Sequence, residues 1–126
     1  MAKQERHFQI IPRDEPRLLE GVRLFNVQQY FQSHEVWESL WHEVGGKERE
    51  LLQGLIQIAA AYHHLSRGNT KGARYLYGKG RARIVSWGPF YAGINLGKLL
   101  STIDQEFASP QHDRGARTAP SISREL

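Results

Sequence analysis

The sequence contains no cysteine, and this absence excludes several classes of protein together. Disulfide scaffolds, zinc ribbons, iron–sulfur proteins and enzymes with a thiolate nucleophile all depend on cysteine side chains. A chain without thiols is suited to a reducing compartment, so we expect a cytoplasmic protein.

Long apolar runs are absent as well. The densest run, residues 55–62, is far shorter than the roughly 20 residues of a membrane-spanning helix and includes Gln57. The first 16 residues mix acidic and basic side chains around a short Ile10-Ile11 pair and lack the apolar core of a signal peptide. We therefore expect neither a membrane-spanning segment nor a secretion signal.

Residues that favour strands are scarce, whereas apolar residues recur every three or four positions, which is typical of helices. With 126 residues the chain is long enough for one hydrophobic core but not for two. We predict an all-α protein, a single compact five-helix array built from antiparallel helical hairpins. Its helices are predicted at residues 17–26, 30–44, 48–67, 70–86 and 91–107.

Three segments make up the predicted domain organisation. Residues 1–16 form an N-terminal extension, and residues 17–108 form the all-helical domain. The remaining segment, residues 109–126, contains Pro, Ser, Arg and Gln without any periodicity, so we expect a disordered C-terminal tail.

Two polar stripes interrupt the apolar faces of the second and third helices. His34, Glu38 and Trp41 are spaced by four and three, which puts an imidazole, a carboxylate and an indole N–H on one edge of the second helix. The third helix carries the other polar stripe, which consists of Gln53, Gln57 and His64. Because buried polar groups need partners, we predict that the two stripes face each other and enclose a polar pocket of these six residues.

Two interpretations of this pocket are open. In the first, it binds a metal ion or a small molecule, with His34, Glu38 and His64 as candidate ligands of a divalent transition metal. Hydrolysis, with His34 and Glu38 as a base and its partner, is an extension of this interpretation. In the second, the same side chains form a structural hydrogen-bond network, and the protein is a non-enzymatic helical interaction module. The residues alone leave open whether the protein is an enzyme.

The fourth helix is rich in basic residues. Lys71, Arg74 and Arg81 share one of its faces, and we predict that they form an anion-binding rim beside the polar pocket. Interleaved aromatic residues make nucleic-acid binding through this helix a lesser alternative. The largely apolar fifth helix is compatible with a homo-oligomer, but the sequence identifies no partner.

Several motifs together resemble a known family. The pattern H-x-x-x-E-x-x-W is carried by His34, Glu38 and Trp41, and the stretches Q-G-L-I-Q from Gln53 and H-L-x-x-G-N from His64 follow it. Over about residues 18–100 the sequence resembles the domain of unknown function family 309, which occurs in bacteria and archaea. The resemblance implies a small all-helical domain without an established activity, and a suggested role of the motif in metal binding.

Overall fold

The computed structural model describes residues 10–108 and 120–124. Its five helices are α1 (Pro16–Asn26), α2 (Tyr30–Trp41), α3 (Gly46–Ser66), α4 (Thr70–Val85) and α5 (Leu96–Ala108). Two short strands, β1 (Phe90–Tyr91) and β2 (Ile94–Asn95), form an antiparallel hairpin between α4 and α5. The predicted all-α class and the five helices are confirmed, and the helix ends differ from the prediction by a few residues, most at α5.

The central helix of the bundle is α3, which packs against both α2 and α4. Its apolar residues recur around most of the helix, as expected for an element that is covered on several sides. In turn, α1 packs against α2, and α5 packs against α4. None of the helices in the described part of the chain is long and apolar enough to span a membrane.

The contact between α1 and α2 depends on a close approach at Gly21. The fully buried ring of Trp37 lies directly against this glycine, where any Cβ atom would overlap the indole. The Trp37 Nε1 atom donates a hydrogen bond to the Leu18 carbonyl at 3.2 Å, and the Ser33 hydroxyl donates to the Gly21 carbonyl at 2.8 Å. These contacts orient α2 so that Trp37 faces the core while the opposite edge of the helix faces outward.

The fifth helix starts later than the apolar pattern predicts. Residues 91–95, predicted as helix, belong instead to the hairpin, in which Ala92 and Gly93 have φ values of 49° and 82°. Two consecutive residues with positive φ form the tight turn that matches the twist of paired strands, and a right-handed helix cannot continue through them. Asn95 then caps α5, because its Oδ1 atom accepts a hydrogen bond from the Lys98 backbone N–H at 2.9 Å.

Residues from both predicted flanking segments pack against the helical domain. Ile11, in the predicted N-terminal extension, and Ile122, in the predicted tail, are both buried. Asn26 at the end of α1 donates to the Ile122 carbonyl at 3.0 Å and accepts from the Ile122 N–H at 2.7 Å. The rest of these segments lies outside the described residues, namely residues 1–9, 109–119 and 125–126. The structure therefore describes the predicted tail only at residues 120–124.

Candidate functional site

The helices α2 and α3 run antiparallel and pack against each other along one edge of each. We call this line of contact the α2–α3 seam. We define the seam by Phe31, His34 and Trp41 of α2 and by Arg49 and His63 of α3. At one end the Phe31 and His63 ring centroids are 5.2 Å apart. At the other end the Arg49 guanidinium carbon lies 3.6 Å from the centre of the Trp41 ring. Each end of the seam is therefore marked by a pair of side chains that meet across the helices.

His34 occupies the middle of the seam, one turn from Phe31. The two rings stack with their centroids 5.8 Å apart. The His34 side chain is half-buried, and its Nδ1 atom is covered by protein without a hydrogen-bond partner among the described residues. The predicted partner Glu38 lies one turn further along α2, but it is exposed rather than enclosed. The motif therefore places an imidazole and a carboxylate on one edge of α2, and only the imidazole is partly enclosed.

Trp41 is contacted by a residue that the sequence analysis missed. Arg49, near the start of α3, places its guanidinium over the indole ring in a cation–π contact. The Nε1 atom of Trp41 and the Nε atom of Arg49 are both covered, and neither has a hydrogen-bond partner within the described part of the chain. The sequence does contain a sign of this role of Arg49. Arg49 precedes Gln53 by four residues and so extends the polar stripe of the third helix by one turn.

The polar stripe of α3 divides between two sides of the bundle. Gln53 is half-buried. Gln57 accepts a hydrogen bond from the Arg83 guanidinium of α4 at 3.2 Å, and His64 Nδ1 lies 3.0 Å from the Asn69 side-chain amide in the turn before α4. Two residues of the stripe therefore bond on the side of α4, because α3 packs against α4 as well as α2, and a pocket that encloses all six polar residues stays a prediction.

The predicted metal ligands are not brought together. Within residues 10–108 and 120–124, no group of three or more His, Asp or Glu side chains is placed to hold a metal ion. His34 and Glu38 share an edge of α2, whereas His64 is engaged with Asn69. A protein zinc site usually has three or four protein ligands, so this trio does not form one in the structure.

A surface cavity of about 430 Å³ lies at the Phe31 end of the seam, between the start of α2 and the end of α3. Its lining presents both polar and apolar surface and consists of Gln28, Gln29, Tyr30, Phe31, Gln32, His63, Ser66 and Arg67. Burial lowers the pKa of His63, and electrostatic repulsion from Arg67, His64 and His34 lowers that pKa further. The lowered pKa favours the neutral imidazole, whose ring has one hydrogen-bond donor and one acceptor.

The anion-binding rim predicted on α4 is largely engaged in helix packing. Arg81 binds the carboxylate of Asp104 on α5 through hydrogen bonds of 2.8 and 3.0 Å. Arg74 donates to the Phe107 carbonyl at 2.8 Å, whereas Lys71 is exposed. The two arginines have acceptors on α5 that the pattern of α4 alone does not reveal, and anion binding by the predicted rim stays a prediction.

The residues that form the seam lie in a part of the chain that is similar to known proteins. Residues 18–76 match the model of the family described as Domain of unknown function (DUF309). The chain is also similar to Uncharacterized protein YpuF of Bacillus subtilis (strain 168), with 39% identity over 56 residues. That match covers 44% of this chain and 32% of the relative, so the matching region is about a third of the relative's length. The resemblance that the motifs indicated is confirmed for residues 18–76.

Proposed function

We propose, from the premise that residues 18–76 belong to the DUF309 family, that the α2–α3 seam binds a small molecule. One observation carries this proposal: the covered nitrogen atoms Nδ1 of His34 and Nε1 of Trp41 have no hydrogen-bond partner among the described residues. Both residues belong to the motif that characterises the matched region, and both lie on the same edge of α2.

Unpartnered polar atoms are costly in a folded protein. A covered donor or acceptor without a partner costs about 1–3 kcal/mol, and native proteins pair most such atoms. The indole N–H of Trp41 can only donate, whereas His34 Nδ1 donates or accepts according to its tautomer. The two residues are seven positions apart, which is about 10 Å along the helix. A molecule of metabolite size that carries oxygen acceptors can bind at both positions.

Glu38 supports the same proposal from the rim of the seam. Its carboxylate is exposed and lies one helical turn from His34 and from Trp41. It can therefore accept a hydrogen bond from a hydroxyl or amine group of the bound molecule. Together with the His34 imidazole it also supplies a base and a proton carrier, which is the hydrolytic form of the proposal.

A divalent transition metal at His34 and Glu38 is a second candidate. An imidazole and a carboxylate four residues apart on a helix can coordinate one ion, and the Nδ1 atom of His34 is without a protein partner within the described residues. Because His64 is bonded to Asn69, the other ligands would come from water or from the bound molecule itself. Such a metal would polarise a carbonyl or phosphoryl oxygen of that molecule.

The proposal is tested by asking what the protein retains during purification. The untagged full chain is purified under mild conditions and denatured, and the released small molecules are identified by mass spectrometry while metals are measured by elemental analysis. His34→Ala, Trp41→Phe and Glu38→Ala are treated in parallel, with Glu35→Ala as the control because Glu35 is an exposed residue of α2 outside the seam.

We expect a compound that is enriched in the wild type and in Glu35→Ala and is depleted in His34→Ala and Trp41→Phe. Metal lost in His34→Ala and in Glu38→Ala identifies the second candidate. A wild type that retains neither compound nor metal after dialysis against zinc, manganese, iron and a metabolite extract contradicts the proposal. In that case the polar stripe is a structural network of an interaction module.

A further inference from the structure

We infer that the seam recognises an anionic group, a carboxylate or a phosphate, and that Arg49 together with the indole N–H of Trp41 holds it. This inference rests on the proposed function and names the chemical class of the ligand. It concerns the Trp41 end of the seam, whereas the motif by itself supplies only an imidazole, a carboxylate and an indole.

The carboxylates close to Arg49 along the chain are already bound elsewhere. Glu48 accepts a hydrogen bond from the Ile11 backbone N–H at 2.9 Å, and Glu50 accepts from the Arg83 guanidinium at 3.0 Å. Arg49 itself takes part in none of the ion pairs found among the described residues. The seam therefore contains a guanidinium that forms no ion pair with a carboxylate in the described part of the chain.

The position of the Arg49 guanidinium suits the binding of an anion. A guanidinium stacked on an aromatic face keeps the N–H groups of its edge available, and its planar fork matches the two oxygen atoms of a carboxylate or phosphate. The indole Nε1–H of Trp41 lies in the ring beneath the guanidinium and has no partner within the described part of the chain. The two side chains therefore offer donors, and no acceptor, to an incoming group.

The two nitrogen atoms are covered in this structure, so binding requires a side chain to move. The Arg49 side chain is half-buried, long and flexible, and it is the group that lies on the Trp41 ring. We expect it to turn on the indole when an anion binds, so that Nε1 becomes accessible. Such a movement changes the environment of the Trp41 ring, and tryptophan fluorescence reports it directly.

The test titrates the full chain with inorganic phosphate and, separately, with acetate, at ionic strength kept constant with sodium chloride. Tryptophan fluorescence is followed in the wild type, in Arg49→Gln and in Arg49→Lys. Lys47→Gln is the matched control, because it removes an exposed positive charge from the same turn of α3. Trp41→Phe shows which part of the signal comes from Trp41 rather than from Trp37 or Trp87.

We expect a saturable change in the wild type and in Lys47→Gln, which is absent in Trp41→Phe. Arg49→Gln should weaken binding about tenfold or more, since one charge-assisted pair of hydrogen bonds is lost. Arg49→Lys should give an intermediate value because it keeps the charge but loses the planar fork. A response to phosphate alone or to acetate alone identifies which of the two groups is preferred.

An equal response in Arg49→Gln and the wild type, or no saturable response to either anion, overturns the inference. Circular dichroism of each variant shows whether a lost response reflects unfolding, and Arg49→Lys then serves as the deciding variant. A retained compound that is uncharged, or whose retention is indifferent to Arg49→Gln, overturns the inference but leaves the proposed function standing. An anion response that depends on Arg49, without any retained compound that depends on His34, supports anion binding at Arg49 but contradicts the proposed function.

Discussion

The α2–α3 seam and the interface between α4 and α5 use the same types of residue in different ways. In the α4–α5 interface, Tyr77 and Arg81 both bond to Asp104, at 2.7 Å for the phenol and at 2.8 and 3.0 Å for the guanidinium. In the seam, Trp41 and Arg49 also form an aromatic and guanidinium pair, but their Nε atoms have no partner within the described residues.

The difference between the two regions lies in the presence of an acceptor. A carboxylate on α5 accepts hydrogen bonds from the phenol and the guanidinium of α4, so that region gains stability from the pairing. In the seam the covered Nε atom of Arg49 and the covered Nε1 atom of Trp41 have no acceptor within the described residues. An arginine next to an aromatic ring therefore indicates a structural or a binding role only once its acceptor is known.

Phe107→Ala should produce the largest loss of stability, because Phe107 packs at the α4–α5 interface and also contacts Tyr62 of α3. The Phe107 ring is buried, stacks on Tyr77 at 4.4 Å and meets Tyr62 edge-on at 5.7 Å. Its removal should lower the free energy of unfolding by about 3–5 kcal/mol, measured by urea denaturation. Below its melting temperature the variant should still show the anion response of Trp41, and loss of that response would show that the two regions are coupled.

Asp104→Ala should cost less, because the carboxylate is about a third exposed. It leaves Tyr77 and Arg81 without their shared acceptor, and we expect a loss of about 1 kcal/mol in the free energy of unfolding. Gln105→Ala, an exposed neighbour on α5, is the control and should change little. A loss no larger than that of the control would mean that the pairing contributes no stability.

Arg49→Gln should have a smaller effect on stability than Asp104→Ala while weakening anion binding about tenfold or more. The lost cation–π contact is offset by removal of a covered Nε atom that has no partner, so we expect a change below about 0.5 kcal/mol. Thermal unfolding without added anion measures this change. A loss as large as that of Asp104→Ala would make Arg49 a structural residue and remove the contrast between the two regions.

The smallest expected effect is a dependence of stability on pH. Burial raises the pKa of Asp104, but the hydrogen bonds from Arg81 and Tyr77 outweigh it, so the pKa lies below its usual value. A carboxylate with a lowered pKa in the folded state stabilises the protein above its unfolded pKa of about 3.9 and loses that contribution as the pH falls through the folded pKa.

The difference in melting temperature between the wild type and Asp104→Asn should therefore shrink on acidification below about pH 4. A difference that stays constant between neutral and acidic pH would contradict the role of the ionised carboxylate. Glu20→Gln is a useful control, because Glu20 pairs with Arg23 at the exposed surface of α1 and contributes nothing to the α4–α5 interface.

Helical periodicity identified the helices well because it depends on local spacing, and it failed where a local conformation overrode the apolar pattern. Residues 91–95 look helical by their apolar content, yet the positive φ values of Ala92 and Gly93 form a hairpin there. The spacing of His34, Glu38 and Trp41 likewise predicted a shared edge of α2, since side chains four and three residues apart always meet on a helix.

The partners of the polar side chains could not be predicted in the same way. Spacing shows which residues of one helix share an edge, but it does not show which edge faces which neighbour. Gln57 and His64 share the polar stripe of α3 with Gln53, yet Arg83 and Asn69 bind them on the side of α4. Spacing therefore revealed neither these partners on the side of α4 nor the contact of Arg49 with Trp41.

The sequence by itself determined the all-α class, the order of the helices and the edge of α2 on which the motif lies, because these properties depend on local periodicity. Only the tertiary structure decided which polar groups found acceptors. Asp104 reaches Arg81 and Tyr77 through the packing of two helices, and Arg49 reaches Trp41 across the seam. Such contacts join residues far apart or on different helices, so they depend on how the helices pack rather than on the spacing within any one of them.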